Sequence, residues 1–218
     1  MKKINTIIFD MDGTVLNTLE DLTVSVNYVL KQFSFPERTE EEYRSFFGNG
    51  IRYAFSCAVP EGTPDERIDE MLPVFKSHYD RHCLDRTRPY EGITDLMLRL
   101  RKRGYKMAIV SNKIDSAVKE LNQKFFAEYV DVAIGESEGI RRKPAPDTVL
   151  QALKELGSSK EEAVYVGDSE VDFQTAVNSG LPCISVLWGF RDRDFLRSIG
   201  ASLFAKQPGD VLKLVESL

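Results

Sequence analysis

The sequence predicts an α/β fold, in which a doubly wound parallel sheet carries an inserted helical domain. Short apolar segments alternate with amphipathic helical patterns, and polar residues or glycines end each apolar segment. Strands that alternate with helices are typical of a parallel sheet with helices on both faces. Residues 15–85 interrupt the alternation with helical patterns alone, which indicates an insertion.

The predicted strands are short apolar runs of the kind that is buried on both faces of a sheet. They are Thr6–Phe9, 106–110, 130–134, 163–166, 183–187 and, with a weaker pattern, 201–205. Apolar residues recur at helical spacing between them. The corresponding helices are 93–103, 116–125, 147–156 and 171–179, and Gly104 is the expected C-terminal cap of the first.

The insertion contains helical patterns over residues 16–33, 40–59 and 65–83, the second of which fits one or two helices. It contains no convincing strand. A block of this length is large enough to form a small domain. We therefore predict a core of residues 1–14 and 86–218, with a helical domain of residues 15–85 inserted after the first strand.

Composition argues against several classes of protein. The 29 Lys and Arg residues against 34 Asp and Glu give a formal net charge of −5, so no general attraction to nucleic acid or anionic membrane is expected. Three widely separated cysteines argue against a disulfide framework and favour reduced thiols. No apolar run has the length of a signal peptide core or a membrane span. We expect a cytoplasmic protein.

Four motifs rich in polar residues follow predicted strands. The first strand continues into DMDGT at residues 10–14, where strand geometry would point both carboxylates the same way and a glycine permits a sharp turn. The others are SN at 111–112, KPAPD at 143–147 and GDSEVD at 167–172. Each has a simpler explanation in isolation, since serines, prolines and acidic residues all favour helix N-termini.

Together, these motifs gather polar chemistry at the carboxyl ends of four strands, where open α/β sheets bind ligands. Four carboxylates there would repel one another unless a cation separated them. They are Asp10, Asp12, Asp168 and Asp172. Mg²⁺ prefers such oxygen ligands and often shares them with a substrate phosphate. Lys143 and the Ser111 hydroxyl can donate hydrogen bonds to phosphate oxygens.

The four motifs, their order and their sheet context resemble the haloacid dehalogenase superfamily of phosphotransferases, over the whole chain. The resemblance implies a Rossmann-like core, and the insertion matches the family's helical cap of the first type. It is closest to phosphoglycolate phosphatase-like members, with supporting segments at 19–22, 48–50 and 188–190. Asn17 departs from the pattern, because Asp is commoner there.

The resemblance implies a role for each motif residue. Asp10 would attack phosphorus and form an aspartyl-phosphate, while Asp12 would protonate the leaving oxygen and then activate water. Mg²⁺ would be held by Asp10, the backbone carbonyl of Asp12 and Asp168, with Asp172 bound through water or orienting its neighbours. Ser111 and Lys143 are the implied catalytic donors to phosphate, and Asn112 and Thr14 are implied to bind or position it.

The cap is expected to select the substrate. Asn49 and Arg52 lie in a segment with two glycines and are candidate substrate-binding residues. Arg52 can bind a carboxylate bidentately, although an exposed arginine without a partner fits equally well. His78 and His82 have a spacing that can bind zinc, but a solvated helix face is the simpler interpretation.

The predicted function is a Mg²⁺-dependent phosphatase for a small, phosphoglycolate-like metabolite, acting as a monomer or weak homodimer. A phosphosugar mutase of the β-phosphoglucomutase type would share all four motifs, but such mutases usually have Glu-Asp where this chain has Gly167-Asp168. A pyrophosphatase or nucleotidase on the same scaffold is also open. A non-catalytic interaction protein should lack the nucleophile or a metal ligand, and this sequence retains both.

Overall fold

A computed structural model describes residues 3–218, which divide into two units. One consists of residues 3–16 and 89–218, and the other is Asn17–Arg88. The inserted unit is therefore 17–88, where the sequence suggested 15–85. Within the described residues, no helix is both long and apolar enough to cross a membrane.

The strands of the described chain form a large sheet and a small one. In chain order they are β1 (Thr6–Phe9), β2 (Leu16–Asn17), β3 (Arg88–Pro89), β4 (Lys106–Ile114), β5 (Val132–Glu136), β6 (Ala163–Gly167), β7 (Cys183–Val186) and β8 (Leu203–Ala205). The large sheet is parallel and has the order β5-β4-β1-β6-β7-β8, while β2 pairs with β3. In its register, Phe9 lies opposite both Ile109 and Val166. The carboxyl ends of the three central strands therefore lie side by side.

The helices are divided between the two units. They are α1 (Leu19–Gln32), α2 (Glu40–Phe46), α3 (Ile51–Ala58), α4 (Asp65–His82), α5 (Ile93–Lys102), α6 (Asp115–Phe125), α7 (Asp147–Leu156), α8 (Glu170–Ser179), α9 (Arg193–Ser198) and α10 (Pro208–Ser217). The first four form the inserted unit, and the others belong to the α/β unit. The predicted α/β fold with an inserted helical domain is confirmed.

Both faces of the large sheet are buried, which explains the continuous apolar strands. Ile7 and Phe9 of β1 lie in one apolar cluster with Leu96 of α5. Ile8 points the opposite way, into a second cluster with Val149 of α7. Because side chains alternate across a strand, a sheet covered on both sides needs apolar residues at every position.

The structure differs from the sequence prediction in several boundaries and decides one alternative that the sequence left open. β5 and β8, for example, begin two residues later than predicted, at Val132 and Leu203. The helix expected over 16–33 begins at Leu19, because Leu16–Asn17 forms β2 and Thr18 occupies the N-cap position. The pattern over 40–59 splits into two helices around Gly48 and Gly50, whose φ angles of 118° and 82° favour glycine. β4 continues past residue 110 to Ile114, with a shift of register against β5.

Candidate active site

Lys143 is the centre of a buried polar cluster at the carboxyl edge of the large sheet. Its side chain is 2% exposed, and its Nζ donates to Asp10 Oδ1 at 2.6 Å and to Asp172 Oδ1 at 2.8 Å. It also donates to the Tyr165 hydroxyl at 3.0 Å, which in turn donates to Asp172 Oδ1 at 2.9 Å. The first, third and fourth sequence motifs therefore meet at one ammonium group.

Asp168 follows β6 and is enclosed by two loops. Its carboxylate accepts from Thr14 Oγ1 at 3.0 Å and from the backbone N–H of Phe190 at 2.7 Å. A Cβ atom on Gly13 would lie 2.4 Å from Asp168 Oδ2, and one on Gly189 would lie 2.3 Å from Asp168 Cβ. Only glycines permit this approach, so both loops fix the position of this carboxylate.

Asp172 links the cluster to the start of α8. Its Oδ2 accepts from Ser169 Oγ at 2.6 Å and from the Ser169 N–H at 3.1 Å, which makes a capping box. Helix capping, the simpler explanation of this motif, is thus correct. Helix capping explains only the contacts of Asp172 Oδ2, because Asp172 Oδ1 accepts a hydrogen bond from Lys143.

The electrostatics of the cluster favour a bound cation. Asp10, Asp168 and Asp172 place ligand oxygens within 4.8 Å of one another, and the Lys143 ammonium contacts the first and the third of these carboxylates. Burial and the charge of Asp172 raise the pKa of Asp10 well above its usual value, against the opposing effect of Lys143. The same two causes raise the pKa of Asp168 to about 7. Excess buried negative charge on oxygen donors suits a hard divalent ion such as Mg²⁺.

The pKa values of Asp172 and Lys143 shift in the directions expected of a strong ion pair. Burial by itself raises the pKa of Asp172, but Lys143 and the hydrogen bonds from Ser169 and Tyr165 bring it below its usual value. Burial lowers the pKa of the Lys143 ammonium, and the charges of Asp10 and Asp172 more than reverse this. The lysine is therefore held in its charged form at the centre of the cluster.

Asp12 lies beside this cluster and has a different lysine as its partner. Lys113 Nζ donates to its two carboxylate oxygens at 3.0 and 3.1 Å. Ser111 is buried, and its Oγ accepts from the Lys113 N–H at 3.1 Å. Ser111 therefore belongs to the irregular end of β4, whereas the N-cap residue of α6 is Ile114. Asn112 Nδ2 donates to the Lys143 carbonyl at 3.0 Å, so this amide positions the Lys143 loop.

The candidate cap residues lie in the inserted unit. Asn49 is half-buried in the turn between α2 and α3. Arg52 Nε donates to Asp69 Oδ1 at 2.8 Å, and an Nη atom lies 3.1 Å from Asp65 Oδ1. The alternative of an arginine without a partner is wrong. Substrate binding by Asn49 and Arg52 stays a prediction.

The two cap histidines make local contacts. Their rings stack with centroids 4.4 Å apart. His78 Nδ1 lies 3.1 Å from Ser25 Oγ, and His82 Nδ1 lies 2.8 Å from Asp85 Oδ2. One ring nitrogen of each histidine is thus within hydrogen-bond distance of a neighbouring side chain.

Sequence reasoning missed Lys113 and Tyr165. Lys113 carried no clear signal, because it lies beyond residue 110, where the predicted strand ends. Tyr165 carried a usable signal, because it brings a hydroxyl group into an otherwise apolar, fully buried strand. A buried hydroxyl needs a hydrogen-bond partner, which here is the lysine–aspartate cluster.

These features define an α/β protein with a buried cluster of three carboxylates and a lysine ammonium at the carboxyl edge of its sheet. The family model for haloacid dehalogenase-like hydrolases matches residues 7–186. The chain is 28% identical to the phosphoglycolate phosphatase of Aquifex aeolicus, over 97% of this chain and 96% of that protein. It is 31% identical to pyrophosphatase PpaX of Halalkalibacterium halodurans, over 98% and 97%.

A solved crystal structure of another protein is also similar to this chain. A protein of Lactobacillus delbrueckii subsp. bulgaricus, provisionally named a phosphoglycolate phosphatase, is 38% identical, with a TM-score of 0.94 and full coverage of both chains. The chain described here belongs to the haloacid dehalogenase-like hydrolases and is a phosphatase.

Proposed function

We propose that this protein is a Mg²⁺-dependent phosphatase that hydrolyses a small phosphorylated metabolite of the phosphoglycolate type through an aspartyl-phosphate at Asp10. The observation that carries the proposal is the buried cluster in which Lys143 joins Asp10 to Asp172, with Asp168 beside them. This cluster supports the proposal because it brings three carboxylates and an ammonium group together at one sheet edge.

The residues present fit a magnesium ion. The carboxylates of Asp10 and Asp168 and the backbone carbonyl of Asp12 are the proposed ligands, with Asp172 acting through water or orienting the others. When bound, Mg²⁺ offsets the negative charge of these carboxylates and of the substrate phosphate. The raised pKa values of Asp10 and Asp168 reflect the buried negative charge that such an ion would balance.

In the first half-reaction, a carboxylate oxygen of Asp10 forms a bond to phosphorus. The bond between phosphorus and the leaving oxygen breaks, and that oxygen keeps the electron pair and takes a proton from Asp12. Lys143 and the Ser111 hydroxyl offset negative charge on the phosphoryl oxygens. The alcohol product leaves, and the phosphoryl group remains on Asp10.

In the second half-reaction, Asp12 takes a proton from water, and the water oxygen bonds to phosphorus. The bond from phosphorus to Asp10 breaks, which restores the carboxylate and releases inorganic phosphate. Lys143, held by Asp172 and Tyr165, keeps Asp10 in place through both steps. Each half-reaction uses groups that are already fixed before substrate binds, which is the main source of such catalysis.

Two observations bear on the substrate. Relatives named phosphoglycolate phosphatase and pyrophosphatase PpaX match the chain almost end to end at similar identity, so pyrophosphate hydrolysis is the second candidate. Gly167 argues against the mutase alternative, because a Cβ atom at this position would lie 2.3 Å from Asp172 Cβ. A glutamate at that position would displace a residue of the cluster.

We further propose that the enzyme is cytoplasmic and acts as a monomer or weak homodimer. Its three cysteines are all free thiols, as expected in a reducing compartment.

Turnover of 2-phosphoglycolate, pyrophosphate, nucleotides and p-nitrophenyl phosphate, ranked by kcat/KM, tests the proposal. We expect a phosphorylated small molecule to be hydrolysed with Mg²⁺ and activity to be lost on addition of EDTA. Ca²⁺ should substitute badly, because its coordination is larger and looser. Full activity in metal-free buffer, or turnover of none of these compounds, would contradict it.

A further inference from the structure

Lys113 holds the Asp12 carboxylate by two hydrogen bonds. Its Nζ bridges both carboxylate oxygens at 3.0 and 3.1 Å. The lysine side chain is only 6% exposed, whereas that of Asp12 is 17% exposed. The ammonium is thus inside the protein, and the carboxylate it holds faces more open space.

The backbone that carries Lys113 is itself fixed. Its N–H donates to Ser111 Oγ at 3.1 Å, within the segment where β4 changes register against β5. Across that pairing lies Gly135, where a Cβ atom would be 2.6 Å from the Lys113 carbonyl and 2.5 Å from Asp115 Cα. The Gly135 N–H donates to Asp115 Oδ1 at 2.9 Å. At Gly135, β5 approaches the end of β4 more closely than a residue with a side chain would permit. This close contact holds the irregular end of β4 in place.

Each carboxylate of the first motif consequently has its own lysine. Lys143 is almost fully buried and holds Asp10 together with Asp172. Lys113 comes from a different strand end and holds Asp12. A partly exposed aspartate would otherwise exchange between side-chain rotamers. An ammonium that contacts both oxygens restricts this exchange, and accurate placement of a proton-transfer group has large effects on rate.

We propose that Lys113 is a positioning residue that holds the Asp12 carboxyl group in the orientation used for proton transfer. The inference depends on the proposed role of Asp12 as proton donor and acceptor. Lys113 acts through Asp12 and makes no contribution of its own to binding the phosphoryl group. Its removal should therefore matter only while Asp12 is present.

A double-mutant cycle tests this dependence. Lys113→Met, Asp12→Ala and the double variant are compared with the Mg²⁺-loaded wild type, on p-nitrophenyl phosphate and on 2-phosphoglycolate. We expect Lys113→Met to lower kcat by roughly 10–100-fold with a smaller change in KM. The loss should be larger for 2-phosphoglycolate, whose basic alkoxide leaving group needs the proton. In the Asp12→Ala background, the same substitution should change kcat by less than about twofold.

Two further variants guard against effects on folding. Lys113→Arg keeps a cation beside Asp12 and should recover part of the lost kcat. If Lys113→Met does not fold, Lys113→Arg takes its place in the double-mutant cycle. Lys213→Met removes a lysine that also pairs with an aspartate, Asp210 at 3.2 Å, but on the exposed surface of α10. This matched variant should retain wild-type kinetics, with melting temperatures recorded for all variants.

The outcomes separate the inference from the proposed function. If the Lys113 substitutions lower kcat by the same factor with and without Asp12, Lys113 acts directly on the substrate and the inference is overturned, while the role of Asp12 stands. If Asp12→Ala alone leaves kcat unchanged on both substrates, the proposed role of Asp12 is wrong and the inference fails with it. A loss confined to the background that contains Asp12 supports both.

Discussion

The two units of the chain use charged residues in opposite ways. In the α/β unit, Asp10, Lys143, Asp168 and Asp172 are nearly inaccessible to solvent and lie within one connected cluster. In the helical unit, the ion pairs of Arg52 lie on the surface, where its side chain is 40% exposed. Burial makes charge interactions in the first unit strong and dependent on geometry, whereas solvent screens those in the second.

The difference follows from how each unit is built. A parallel sheet ends several strands at one edge and leaves their following residues side by side, so charges from distant parts of the sequence converge there. Helices in the inserted unit bury an apolar face, with residues such as Phe55, Met71 and Phe75, and direct most of their charges outward. Asp21 of α1 is buried as well, where it accepts from the backbone N–H groups of Arg86 and Thr87. The contrast teaches that several charges buried together, more than the abundance of charge, mark the reactive part of this molecule.

The largest effect is expected at the proposed nucleophile. Asp10→Asn keeps the side-chain shape but removes the attacking carboxylate, so kcat should fall by about 10³-fold or more. Removing one of several buried negative charges should leave the melting temperature unchanged or raise it. Steady-state assays and thermal unfolding measure both. Retention of a few per cent of wild-type kcat, in a preparation free of contaminating phosphatase, would remove Asp10 from this role.

Lys143→Met should destabilise the α/β unit more than any surface lysine substitution. It leaves Asp10 and Asp172 buried without their cation, a loss on the order of 3–5 kcal/mol for one partner of a buried pair. Lys119→Met, which breaks an exposed pair, should cost less than about 1 kcal/mol. Urea unfolding of both variants makes the comparison. Equal stabilities would mean that the buried cluster contributes nothing specific.

Gly189→Ala should weaken metal binding although it replaces none of the proposed ligands. The added Cβ atom would overlap Asp168 and lie 2.5 Å from the Gly13 carbonyl oxygen, so the loop or the carboxylate must move. Changes that displace metal ligands typically reduce affinity by about 10–100-fold. Gly209→Ala is the control, because a Cβ atom there meets nothing within 4 Å. Mg²⁺ titrations followed by calorimetry should separate the two, and identical affinities would refute the proposed restraint on Asp168.

The smallest effect is expected in the helical unit. Arg52→Ala breaks two exposed ion pairs, which solvent screens, and should leave the melting temperature almost unchanged. The same variant tests substrate binding by Arg52. That prediction requires kcat/KM to fall further for 2-phosphoglycolate than for p-nitrophenyl phosphate, which lacks a carboxylate. Equal losses on the two substrates would assign Arg52 to the stability of the cap alone.

The sequence was sufficient for much of the α/β unit because its signals are strong and local. Continuous apolar runs such as Thr6–Phe9 report a sheet buried on both faces, and the motif residues follow such runs directly. α10 was missed although Pro208 at its start and a capping box from Gln207 mark its N-terminus. Its apolar pattern spans only ten residues, which is too short to indicate a helix by itself.

The remainder depended on tertiary contacts. The extension of β4 to Ile114 is fixed by pairing with β5 and by the space that Gly135 leaves, neither of which is visible in residues 106–114. The partners of Asp10 and Asp12 are likewise distant in sequence, at Lys143 and Lys113. Motif spacing predicts which residues share an edge, but side-chain pairing at that edge is decided in three dimensions.

The most direct test of the account follows the phosphoryl group in Asp12→Ala. The variant keeps the nucleophile, and p-nitrophenolate is a weak enough base to leave without a proton. Hydrolysis of the phosphoenzyme needs Asp12 and should be slow. Rapid mixing should give a burst of p-nitrophenolate followed by slow turnover, and intact mass after acid quench should show one added phosphoryl group. If Mg²⁺ affinity is unchanged yet neither burst nor phosphoprotein appears, the division of roles between Asp10 and Asp12 is wrong.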